Sequence, residues 1–161
     1  MTVALAPNIS SALLWGLFAT GILTLLMALG QGLGWTRMSL PFMIGTMLSS
    51  HRSRAMTLGF VLHVGFGMAF ALLYALVFEE WQWATWWLGG LLGGFHGLFM
   101  LVVIMPMLPD LHPRMASKNH GPTPTRQLEP PGFMALNYGR ATPLLTLVAH
   151  LVYGMLLGGF Y

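Results

Sequence analysis

The sequence predicts an all-α membrane protein, a four-helix transmembrane bundle, on three observations. Only 7% of its 161 residues are charged and 56% are hydrophobic. A soluble domain carries roughly 25% charged residues, which it needs to hydrate its surface. The apolar residues fall into four blocks between the charges, each long enough for one helix of about 20 residues to cross a bilayer and too short for two. Leu, Ala, Met and Gly fill these blocks with no alternation of period two, which excludes a β-barrel. The expected spans are 11–33, 55–78, 84–107 and 142–161, within a single integral membrane domain covering 1–161.

The first block precedes every charged residue. It has no Lys or Arg ahead of it and exceeds the 7–15 residues of a typical signal-peptide core, so it reads as a retained helix. Residues 38–53 follow, with Ser39 before Leu40-Pro41, a helix-start pattern, and predict a short interfacial helix. Spans two and three contain only uncharged side chains apart from His63 and His96, and Glu79 and Glu80 lie between them. The long connection before span four carries Pro106, Pro109, Pro113, Pro122, Pro124, Pro130 and Pro131, which argue against long helices there. It is expected to be a Pro-rich cytoplasmic loop whose end, PPGFMALNYG, lies on the membrane surface.

Charge placement predicts orientation. Arg37, Arg52, Arg54, Arg114, Lys118, Arg126 and Arg140 all follow spans one or three, and none falls in the turn after span two. The positive-inside rule then puts both basic segments in the cytoplasm and both termini outside. Trp81, Trp83, Trp86 and Trp87 would form an aromatic belt at the outer face, with Trp35 at the inner one. The pI of about 9.8 rests on a net charge of only +3. The basic residues are scattered rather than striped, so nucleic-acid binding is not expected.

Small residues at four-residue spacing permit close helix approach in lipid: Gly30 and Gly34, Gly89/Gly90 and Gly93/Gly94, Gly93 and Gly97, Gly154 and Gly158. They read first as packing within one bundle, and second as faces for a membrane-protein partner or a homo-oligomer.

The main functional signal is histidine. His63 lies nine residues beyond Arg54, His150 ten beyond Arg140 and His96 ten before Pro106. All three therefore sit roughly 14–15 Å from the cytoplasmic edge, near the midplane of a ~30 Å core. Polar groups at that depth are costly and face the bundle or a cavity. Three converging imidazoles suit a transition metal such as zinc, copper or iron, and two of them suit a haem b iron. Gly59, Gly67 and Gly154, each four residues from a histidine, would leave room for a porphyrin plane, and Met68, Met100 and Met155 are nearby soft donors. The plainer alternative is that each histidine bonds a carbonyl, a hydroxyl or a tyrosine such as Tyr74 or Tyr153. Thirteen methionines read mainly as apolar filling rather than as a copper relay. His51, His112 and His120 are expected to be solvated interfacial residues, with a second metal site or headgroup contacts beside Arg114 and Arg126 as the lesser readings.

Other chemistry is missing from the sequence. It has no cysteine, no acid inside a span, and no P-loop, G-x-S-x-G or H-E-x-x-H motif. No catalytic residue is assigned, and the chain reads more readily as a non-enzyme. Three classes remain: a metal- or haem-binding membrane protein, a cofactor-free accessory or assembly subunit of a larger membrane complex, and a small transporter or channel.

The strings LPFMIGTML, HVGFGMAFALLYALVFE, GGFHGLFMLVVIMPMLPDLHPRM, GPTPTRQLEPPGFMALNYG and LVAHLVYGMLLGGFY, from about Leu40 to Tyr161, resemble a family of small bacterial four-helix membrane proteins classed as a domain of unknown function. The resemblance implies a bacterial inner-membrane protein with four spans. It carries no activity, cofactor or site residue.

Overall fold

A computed structural model describes residues 8–119, 121–126 and 128–161. Four helices in it are long and apolar enough to cross a membrane: α1 (Ile9–Gly32), α3 (Arg52–Trp81), the continuous stretch Trp86–Leu111, and α6 (Thr142–Phe160). The third comprises α4 (Trp86–Phe99), a π-helical turn (Met100–Ile104) and α5 (Met105–Leu111). A short helix, α2 (Leu40–Gly45), follows α1, and there is no β-strand among the described residues.

Helix boundaries follow from local chemistry. Asn8 caps α1 by accepting from the Ser11 amide at 3.0 Å. Gly34, expected to extend a helix face from Gly30, instead lies beyond the helix end with φ +73°, where a residue without Cβ reverses the chain. At 30 residues α3 exceeds its expected 55–78, because Arg52 and Arg54 continue the helix past the apolar run. The third span also outruns its expected end at 107. Pro106 has no N–H to give Val102, which would break a regular helix. The π turn just before it, where the Met105 amide bonds the Met100 carbonyl, resets the register, and Pro106 then falls in the first turn of α5.

Glycines set the helix contacts. The backbones of α4 and α6 touch where Gly89 and Gly93 meet Gly154 and where Gly89 meets Gly158. Gly97 accommodates the Cβ of His150, and Gly16 and Gly67 of α1 and α3 accept Ala71 and Thr20. Gly45 and Gly59 let α2 lie directly on α3. The glycine pairs of spans three and four thus serve packing inside the bundle.

Around the bundle the order is α3, α1, α6, α4, and α3 and α4 make almost no direct backbone contact. The gap between α3 and α4 is therefore wide enough to be crossed only by side chains, Phe70 and Tyr74 of α3 meeting His96 of α4. At the basic end the Thr36 and Thr142 hydroxyls lie 2.7 Å apart and the Arg37 amide bonds the Tyr138 carbonyl at 2.7 Å. At the opposite end the Tyr161 hydroxyl accepts from the Asn8 amide and donates to Glu79, both at 2.8 Å.

Candidate functional site

Between α3 and the third span lies a cavity of about 330 Å³. Leu62, His63, Phe66 and Phe70 of α3 form one wall, and His96, Met100, Ile104, Met105 and Leu108 of the third span form the other. Thr20, His150 and Tyr153 close the back, and Met43, Ile44, Met47 and Leu48 form the floor. His63, His96 and His150 all line this one space.

Helix packing brings them there. Because Gly93 and Gly97 have no side chains, α6 settles on α4 with the His150 backbone and Cβ against them. That places the His150 ring 4.9 Å from the His96 ring, near perpendicular at 80°. His63, on the α3 wall, is 8% exposed, and its ring has no hydrogen-bond partner among the described residues.

The surrounding polar groups fix the rings. The Nδ1 of His150 lies 2.8 Å from the Thr146 carbonyl, which can only accept, so Nδ1 carries the proton and Nε2 keeps its lone pair. A bond of this kind fixes the orientation of the imidazole ring. His96 Nδ1 lies 3.4 Å from the Tyr74 hydroxyl, and the Phe70 ring lies against the His96 ring, centroids 4.0 Å apart and planes tilted by 32°. Tyr153 donates to the Gly67 carbonyl at 2.5 Å. His96 and His150 thus have the carbonyl and tyrosine partners of the plainer reading, while one nitrogen of each stays uncommitted.

Two expectations are corrected here. Gly59 and Gly154 do not open a slot for a flat ring, because Pro41 and Gly89 backbone atoms occupy the space a Cβ would take; only Gly67 reaches the cavity wall, and Thr20 already packs on it. Of the soft donors, Met100 lines the cavity, whereas Met68 packs near Gly16 and Met155 near Gly90. Among the described residues no group of three His, Cys, Asp or Glu is arranged to hold one metal ion.

His112 differs most from its expected solvated state, being 1% exposed. Its Nε2 donates to the Met43 carbonyl at 2.9 Å, and its Nδ1 accepts from the Arg114 amide at 3.1 Å. Arg114 in turn bonds the carbonyls of Thr46 at 2.5 Å and Met47 at 3.2 Å, and Arg126 bonds that of Met115 at 3.3 Å. His112 and Arg114 thus hold the end of α2, leaving neither His112 nitrogen for a metal. Sequence reasoning missed this clasp because its acceptors are backbone carbonyls, which every residue possesses. His51 is the exposed residue before α3, and His120 lies outside the described residues.

No protein-family model, curated protein or solved structure matches this chain.

Proposed function

We propose that this chain is a polytopic membrane protein that holds a haem in the cavity between α3 and α4. One observation carries the reading: His63 and His96 stand on facing walls of a single apolar space, with His150 beside His96. His63 and His96 are the residues that would hold a haem iron, in an apolar surround that would exclude water. The cavity volume, about 330 Å³, lies at the low end of the roughly 300–1,000 Å³ usual for small-molecule and cofactor sites, so a haem would be only partly enclosed. Phe66, Phe70, Met100 and Ile104 supply the apolar lining. The His63 ring lines the cavity and makes no hydrogen bond among the described residues, so it is uncommitted. The same reading places the protein in a bacterial inner membrane, with both termini outside and the basic loops in the cytoplasm, as the charge distribution and the family resemblance suggest.

The test is to purify the full chain in detergent and titrate it with hemin. The expected result is a Soret band at one haem per chain, abolished by His63→Ala and by His96→Ala. Absence of a specific band in the native chain, or binding indifferent to both substitutions, would refute the proposal.

A further inference from the structure

Helices α1 and α3 pack closely over only half their length. Toward the Glu79 end, Gly16 lies against Ala71 and Gly67 against Thr20. Toward the basic end the two helices part. A groove of about 410 Å³ runs between residues 23–31 of α1 and 56–63 of α3, with Ser39, Leu40 and Pro41 completing its lining. Met56 and Phe60 on its wall are 41% and 47% exposed, so the groove faces away from the core. At 1.5 Å per residue its walls are roughly 10–12 Å long, most of the ~15 Å that one leaflet contributes to a ~30 Å hydrocarbon core.

The chemistry changes along the groove. Its body is formed by Leu23, Met27 and Phe60, and the Thr24 hydroxyl is already given to the Thr20 carbonyl at 2.7 Å. Nearer the basic end, Gln31 and Ser39 are held only by long contacts, 3.5 Å to the Met27 carbonyl and 3.9 Å to the Met56 sulfur. Both keep capacity for a further hydrogen bond. Arg52 and Arg54 lie in the first turn of α3, just before Met56, and the Arg52 guanidinium stands 5.1 Å from the Phe42 ring, next to Pro41. Neither arginine pairs with a carboxylate among the described residues, where the ion pair is Arg37 with Glu129. An apolar slot one leaflet deep thus ends in hydrogen-bonding side chains and unneutralised cations.

We propose that this groove binds one acyl chain of an anionic glycerophospholipid, with the ester region at Gln31 and Ser39 and the phosphate beside Arg52 and Arg54. Juxtamembrane arginines attract anionic headgroups, and the closed packing above the groove stops the chain where a single leaflet ends. The proposal does not rest on the haem reading, because only Leu23, Leu40 and His63 of the groove also line the main cavity.

The experiment is to offer the purified full chain equal amounts of phosphatidylglycerol and phosphatidylcholine with identical acyl chains, and to count retained lipid by native mass spectrometry. One phosphatidylglycerol per chain is expected, preferred roughly tenfold, in keeping with two nearby cations. Replacing both arginines, Arg52→Gln with Arg54→Gln, should remove the preference. Ala28→Trp, which fills the groove from an exposed position, should abolish retention, whereas Leu29→Trp, exposed but outside the groove, should leave it intact. On the native chain, phosphatidylglycerol carrying a mid-chain diazirine should crosslink to residues 23–31 and 56–63, which decides the matter even where a variant fails to fold. No retained lipid, equal retention of the two lipids, or retention unchanged in Ala28→Trp would overturn the proposal. Crosslinks spread evenly over the outer faces of all four spans, the pattern of ordinary surrounding lipid, would overturn it equally.

Discussion

His112 shows how far one side chain's role departs from its composition-based expectation. Burial holds its pKa below the usual 6.5, with Arg114 and Arg126 acting in the same direction, while the bond to the Met43 carbonyl opposes them. The folded state therefore prefers neutral His112. Its stabilising contribution is full above pH ~6.5 and is lost as pH falls below that value toward the depressed folded pKa, since the unfolded chain takes up the proton first. Thermal unfolding in detergent should thus show destabilisation from pH 7 to 5 that shrinks in His112→Ala. That variant should itself lose about 1–3 kcal/mol at pH 7, since it leaves the Met43 carbonyl and the Arg114 amide without their partner. An identical pH profile in both proteins would refute the assignment. By contrast, the Arg37–Glu129 pair at 3.0 Å is largely exposed at 66% and 45%, and its removal should change stability by less than ~1 kcal/mol.

At the scale of elements, the α4–α6 seam controls the site. A Cβ on Gly154 would meet the Gly89 carbonyl oxygen, and one on Gly89 would meet that of Gly154, both rigid backbone. Gly154→Ala and Gly89→Ala should each cost about 1–3 kcal/mol by overpacking. They should also force His150 away from His96, so hemin affinity should drop alongside the melting temperature. Gly21 and Gly65 have nothing within 4 Å of a built Cβ, so Gly21→Ala and Gly65→Ala serve as controls expected to be neutral or slightly stabilising. Equal behaviour of the two pairs of variants would mean that the seam is not tightly packed in the membrane.

For the whole molecule, the absence of cysteine makes topology directly measurable. Single cysteines introduced as Glu80→Cys and Lys118→Cys, both at exposed positions, should report opposite sides of the membrane. In intact cells an impermeant maleimide should label the first and spare the second, with Lys118→Cys reacting only after permeabilisation. Labelling of Lys118→Cys from outside would reverse the orientation that the basic loops predict.

The sequence by itself determined the four helices and their approximate limits, because spacing between charges and the cost of burying them in hydrocarbon act along the chain. It also put His63, His96 and His150 nine or ten residues from Arg54, Pro106 and Arg140, a spacing that predicts one depth because axial rise depends only on residue number. Which way each side chain turns is decided across the chain, by contacts between residues far apart in it. Only the tertiary structure therefore assigned Gly59 and Gly154 to backbone contacts rather than to a slot, and buried His112 beneath α2. It alone set the backbones of α3 and α4 apart around a cavity and, with the π turn ahead of Pro106, brought Met100 and Met105 to that same cavity. Periodicity assumes a regular helix, so the departure that groups those two methionines was invisible until the packing that stabilises it was present.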